Sequence, residues 1–208
     1  MKIDNNGRSM IEMLGVLAIV GILTLGGIQG FSKAMTKHKL NQQTEQFSIL
    51  FNAMDTYFRK LTDAGSFYNL IPVFKAMGEI PDGLTEKNGQ LFDQFGNKIN
   101  IGTNDCPAGQ PCQGTAMSYV LKEKSNFAIC NNLIQLAKGH ADNLDRLLIA
   151  YVSSENPTTY DYIYQGNKRC SNTAKCIRNI TINDTTAICL SCEEKEDCRI
   201  TFCWNKRS

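Results

Sequence analysis

The stretch that most constrains this chain is its apolar run from Met10 to Ile28, which carries one charge, Glu12, and no proline. A helix that crosses a bilayer needs about 20 predominantly apolar residues, so the run is long enough if Glu12 is accommodated. A carboxylate inside such a helix costs about 2.5–3.5 kcal/mol at the bilayer centre, and one that is kept there generally has a partner and a role. A cleavable secretory signal gains nothing from an acid in its apolar core. Ahead of the run, residues 1–7 carry Lys2 and have no apolar core of their own, the pattern of a leader.

From Arg8 the helical pattern continues without proline until Pro72. Beyond Gly30 it turns amphipathic: Phe47, Leu50, Phe51, Met54, Phe58 and Leu61 recur at spacings of three and four, the stripe of a helix with one covered side. Between the two halves lies a polar, basic stretch, residues 33–44, suited to a headgroup boundary. A helix over residues 9–61 is about 80 Å long at 1.5 Å per residue. Asp63-Ala64-Gly65 then supplies a stop.

Gly7, a small polar pair, Glu12 five positions into the chain that would remain after a cut behind Gly7, and a helix of Leu, Ile, Val and Gly together resemble a type IV prepilin, a superfamily that includes the type II secretion pseudopilins. The likeness covers roughly the first 61 residues by motif and the remainder by layout. It implies that a dedicated peptidase cuts between Gly7 and Arg8 and methylates the new amino terminus. It also implies that Glu12 serves assembly and that Gly21 loosens the helix. Two positions depart from the usual pattern: Arg8 stands where Phe or Met is common, and Gln29 where a proline is common. Gly26, Gly27 and Gly30 offer an equivalent weakness, since glycine inside a helix costs about 0.5–1 kcal/mol relative to alanine.

With 208 residues, one long helix leaves about 145 for a single further domain, enough for its own core. The division read from sequence is a leader over 1–7, a pilin-type helix over 8–62 with its membrane span at about 10–30, and a globular head over 63–208. The net charge of +2 gives no reason to expect nucleic acid. Nine cysteines, all from Cys106 onward, favour an oxidising compartment and disulfides. The lysines after the run, Lys33, Lys37 and Lys39, outnumber Lys2 and Arg8 and taken alone would keep the C-terminal side in the cytoplasm. The cysteines and the leader outweigh that difference.

Cys106–Cys112 and Cys170–Cys176 each bound a short turn-forming loop able to close on itself. If residues 198–203 form a strand, Cys198 and Cys203 lie about 16 Å apart, beyond the roughly 7 Å that a disulfide spans. A hairpin turning at residues 193–197 sets Cys192 beside Cys198, leaving Cys130, Cys189 and Cys203 to share one more bridge. A rival reading of Cys189, Cys192, Cys198 and Cys203 is a four-thiolate zinc ribbon.

In the head, Phe92-Asp93-Gln94-Phe95-Gly96-Asn97 followed by Ile99 and Ile101 resembles the turn that opens the sheet in many pilins. Strands are expected over 117–121, 126–129, 160–164, 177–182, 186–190 and 199–204. Residues 130–153 have helical spacing, with a break at Gly139. The two histidines, His38 and His140, read as solvated, and Glu193, Glu194, Glu196 and Asp197 as a solvated turn. No nucleophile elbow, phosphate loop or catalytic carboxylate pair is present in the sequence, so neither enzyme nor cofactor is expected.

The reading that results is an α+β pilin-like protein, disulfide-rich, with a long helix on an antiparallel sheet. Its expected function is that of a structural subunit of a type IV pilus or a type II secretion filament. Its partners would be further pilin subunits, prepilin peptidase, inner-membrane assembly machinery and, before assembly, lipid. It would reside in a bacterial inner membrane with the head exported, and then in a surface or periplasmic filament. One alternative is a minor pilin for adhesion or DNA uptake, whose basic stripe could only be Lys168, Arg169, Lys175, Arg178, Lys206 and Arg207. Another is a secreted disulfide-rich binding domain with an ordinary signal, cut near Ser32-Lys33-Ala34.

Overall fold

The structure, a computed structural model, describes residues 10–61, 69–104, 114–121, 127–151, 160–194 and 198–205. A single helix, α1 (Met10–Leu61), opens it. Hydroxyls inside α1 fold back onto the preceding turn, Thr24 Oγ1 donating to the Val20 carbonyl (2.7 Å) and Ser48 Oγ to that of Thr44 (2.8 Å). That arrangement lets a polar residue sit within a helix without an unsatisfied group. The chain divides into two compact units, Met1–Asn41 and Gln42–Ser208, and the division falls within α1.

In the first unit every large apolar side chain from Met10 to Phe31 is exposed. In the second, the same helix buries Phe47, Leu50, Phe51 and Met54 completely. The side chains of Phe58 and Leu61, which the stripe also includes, lie outside the described residues.

After α1 the second unit runs α2 (Ile71–Met77), β1 (Thr85–Lys87), β2 (Gln90–Phe92), β3 (Lys98–Asn104), β4 (Gly114–Leu121), α3 (Phe127–Gly139), β5 (Arg146–Tyr151), β6 (Tyr162–Gln165), α4 (Ile182–Glu194) and β7 (Cys198–Asn205). The seven strands form one sheet in the order β1-β2-β3-β4-β7-β5-β6, and all its strand pairs are antiparallel. The fold is thus α+β, and its last strand enters the middle of the sheet between β4 and β5. Asn88 and Gly89, at φ 52° and 70°, make the β1–β2 turn. Two successive positive φ angles match the right-handed twist of a tight hairpin, and Asn-Gly is the pair that adopts them most readily.

Register decides which side of the sheet α1 covers. Tyr119 pairs with Ile200, Met117 with Phe202 and Thr115 with Trp204, so these side chains share one face. Phe47 meets Tyr119 edge-on at 5.4 Å between ring centroids, and Phe51 meets Phe202 at 4.9 Å and Trp204 at 5.2 Å. Such T-shaped pairs add about 0.5–1.5 kcal/mol each to the burial of the rings.

Three expectations are corrected. Residues 144–151, read with a helical period, become a turn and β5; Arg146-Leu-Leu-Ile-Ala-Tyr151 is buried on both faces, and such a run has no alternation to mark it as a strand. Residues 126–129, expected as a strand, open α3 from Phe127. The expected strands at 177–182 and 186–190 are a 3-10 turn (Ile177–Asn179) followed by α4. The signal for α4 was present in Thr181 and Asp184. The Thr181 amide (2.9 Å) and hydroxyl (2.6 Å) donate to Asp184 Oδ2, and the Asp184 amide donates to Thr181 Oγ1 (3.1 Å), a capping box.

Candidate functional site

The residues singled out near the N-terminus do not all fall within the described structure. Gly7 and Arg8 lie outside it. Glu12 occupies the first turn of α1, and its side chain is exposed. Gly21 sits in the helix with open space where a Cβ would project. Among the described residues α1 is the one helix long and apolar enough to cross a membrane, and none of its apolar window is buried within the protein. Buried apolar surface is stabilising at about 25 cal/mol per Å², so an exposed helix of this composition calls for lipid or a second apolar surface.

The cysteines cluster around α4. Cys130 in α3 is bridged to Cys189 in α4, Cys170 to Cys176 across a short loop, and Cys192 at the end of α4 to Cys198 at the start of β7. Cys203 is buried in β7 outside these three bridges. Cys106 and Cys112 lie outside the described residues. The bridges exclude the zinc ribbon, because Cys189, Cys192 and Cys198 are oxidised and only thiolates ligate the metal. The Cys192–Cys198 juxtaposition does not come from a hairpin, as the sequence suggested, but from a helix meeting a strand. Among the described residues no group of three His, Cys, Asp or Glu is placed to hold a metal ion.

Two polar clusters fasten the second half of α1 to the sheet. In the first, the Tyr119 hydroxyl donates to Asp93 Oδ2 and accepts from Gln43 Nε2 and Asn97 Nδ2, each at 2.9 Å. Asp93 Oδ1 accepts from the amides of Phe95 and Asn97 at 2.9 Å, which fixes the turn that opens β3. Burial, with the Asp93 charge added, holds the Tyr119 phenol well above the usual range, so it stays protonated as a donor. Gln43 reaches back to Asn132 of α3, whose Nδ2 donates to Gln43 Oε1 (3.1 Å).

In the second cluster, Asp55 accepts from Trp204 Nε1 (2.5 Å) and Asn143 Nδ2 (2.6 Å), with His140 Nδ1 3.8 Å away. His140 also packs on Phe51 at 4.7 Å, so it is not the solvated residue that the sequence suggested. His38 is exposed. Sequence reasoning missed both clusters because their members lie far apart in the chain, 149 residues for Asp55 and Trp204.

The charged candidates on the head divide as well. Glu193, expected in a solvated turn, belongs to α4 and accepts from the Phe127 amide at the start of α3 (3.1 Å). Glu194 ends α4 and is exposed, while Glu196 and Asp197 lie outside the described residues. Lys168, Arg169, Lys175 and Arg178 are exposed. Arg169 is pinned on buried Asp145 (3.0 Å), and Lys175 lies over the Tyr162 ring (5.7 Å). Lys206 and Arg207 lie outside the described residues.

No protein-family model and no curated protein matches this chain. The architecture itself, a long apolar N-terminal helix followed by an antiparallel sheet, is pilin-like and suited to membrane anchoring or export.

Proposed function

We propose that the chain is a structural subunit of a type IV pilus or of the related type II secretion pseudopilus, and not an enzyme. Prepilin peptidase cuts it between Gly7 and Arg8. The cut subunit waits in the inner membrane, and assembly machinery moves it into a filament whose core is made of many copies of the apolar part of α1. There Glu12 offers its carboxylate to the new amino terminus at Arg8 of a neighbour. The observation that carries this reading is the contrast along α1: every large apolar side chain from Met10 to Phe31 is exposed, whereas Phe47, Leu50, Phe51 and Met54 are completely buried. A helix that served only the head would have no use for the first stretch. The three bridges in the head agree with an exported location.

The first residue of the mature protein tests the reading. Arg8 at the terminus supports prepilin processing, whereas a terminus near Met35 supports a conventional signal and a secreted domain. Gly7→Val should leave the full-length chain in the membrane fraction, and mature-sized protein from that variant would overturn the proposal.

A further inference from the structure

Just past its apolar run, α1 carries a second device. Between Glu12 and Glu45 the sequence has no acid, and its cations are Lys33, Lys37 and Lys39, with His38 among them. Lys33, Lys37 and His38 are exposed, and Lys39 is half-buried. A helix turns about 100° per residue, so with Lys33 at zero Lys37 points to about 40°, His38 to about 140° and Lys39 to about 240°. Lysine charge therefore lies on opposite flanks of the helix, and His38 stands in the wider gap. A protein partner approaching from one side would be met by one stripe. Charge spread round the axis suits a medium that surrounds the helix.

Depth points the same way. From Met10 to Phe31, the last large apolar side chain of α1 that is more than half exposed, the axis runs about 32 Å at 1.5 Å per residue, close to the roughly 30 Å of a hydrocarbon core. The lysines follow within about 3–12 Å of Phe31. Over that distance their apolar stems can lie along the membrane edge while the ammonium groups reach the phosphates. Cations on the exported side oppose the bias that places Lys and Arg in the cytoplasm, and a ligand on that side gives them a use.

We propose that Lys33, Lys37 and Lys39 form a collar that binds the phosphate groups of anionic phospholipids in the leaflet on the head side. The inference rests on the reading that α1 spans a membrane before assembly. The collar fixes the depth of the waiting subunit and draws it into anionic lipid. Each lysine near an anionic surface favours binding by about fivefold.

The test uses the full chain reconstituted in phosphatidylcholine nanodiscs carrying either spin-labelled phosphatidylglycerol or spin-labelled phosphatidylcholine. The proposal expects at least a ~5-fold preference for the anionic label, falling toward none at about 1 M salt, where the screening length is about 3 Å. The Lys33→Gln, Lys37→Gln, Lys39→Gln triple variant should lose the preference, and the corresponding triple Arg variant should keep it. Unchanged Trp204 fluorescence in both would show an intact head. Equal association of the two labels with the wild type, or a preference that survives in the Gln variant, overturns the collar. Reduced filament yield from the Gln variant without any lipid preference in the wild type also overturns it and assigns the lysines to a subunit contact. Lipid selectivity is measured on the unassembled full chain, so its outcome is independent of filament assembly and of where the filament reading stands.

Discussion

Leu17 and Leu50 are the same residue in the same helix, and their surroundings are opposite. Leu17 is 67% exposed, while Leu50 has no exposed surface. The residues around Leu17 are apolar on every side. Around Leu50 the apolar positions form one stripe backed by Gln42, Glu45 and Asn52. A helix apolar all round belongs in lipid or among other helices, and a one-sided stripe belongs against a sheet. The contrast extends to the units that contain them: Met1–Asn41 has no cysteine, and Gln42–Ser208 holds all nine. One unit depends on its surroundings, and the other carries its own core and covalent ties.

The largest effect that separates them should come from the bridge between α3 and α4. Cys130 and Cys189 are 59 residues apart, and closing a loop of that length stabilises by about 4 kcal/mol in the chain-entropy account. The paired substitution Cys130→Ser with Cys189→Ser should lower head stability by about that amount, read by the fluorescence of the sole tryptophan, Trp204, in denaturant. Retention of the chain in membranes should not change. A loss of membrane retention together with the bridge would tie the two units energetically and break the comparison.

Next comes the pair of leucines. Leu50→Ala should cost about 2–5 kcal/mol through lost burial and the cavity left between α1 and the sheet. Leu17→Ala should change head stability by less than about 0.5 kcal/mol. Equal losses in a detergent-solubilised denaturant titration would mean that the apolar stretch stabilises the head.

How far the sequence disclosed this division depends on which physical signal each residue carried. The helix was legible because two different periodicities, all-round and one-sided, followed one another without a proline. The turn at residues 93–97 was legible from Asp93 and Gly96, and β7 from its run of β-branched and aromatic residues. β5 was not, since a strand covered on both faces has no alternation, and its leucines mimic a helical spacing. α4 was misread because Thr185, Thr186 and Ile188 are β-branched residues common in strands, while its true start lay in the Thr181–Asp184 pair. For the candidate site, Gly7, Arg8 and Glu12 were read from the resemblance to a prepilin, and of the three only Glu12 lies among the described residues. The clusters at Asp55 and Tyr119 were not, since only the folded chain brings their members together.

A smaller effect belongs to the α4 cap. Hydrogen bonds from the Thr181 hydroxyl and amide hold the Asp184 carboxyl below the usual carboxylate range. A group with a lowered folded pKa contributes stability above its unfolded pKa and loses it as pH falls through the folded value. Acidification through and below the ordinary aspartate range should therefore loosen the start of α4. Amide exchange at residues 182–186 should accelerate in the wild type over that window. Asp184→Asn should exchange faster at neutral pH and depend less on acid, and identical acid dependence in both would remove the cap from the account.

The smallest effect on head stability, and the sharpest division between the units, is expected at Glu12. It lies in the first turn of α1, far in sequence from any residue of the head core. If it only tolerates the membrane edge, Glu12→Leu makes the helix more apolar and changes nothing else. If it receives a neighbour's amino terminus, the substitution leaves an incoming positive group without its partner among lipid and helices. Removing one member of such a buried pair costs about 3–5 kcal/mol, because the other remains charged and unpaired. That cost arises only when subunits meet. Cleavage, insertion and the unfolding midpoint of the monomer should match the wild type, and filament yield should fall. Glu12→Asp should be intermediate, since the charge remains and its reach shortens by one methylene. The measurement compares monomer abundance with sheared filaments for the three chains. Wild-type filament yield from Glu12→Leu at equal monomer level would defeat the pairing while leaving the fold of the head untouched.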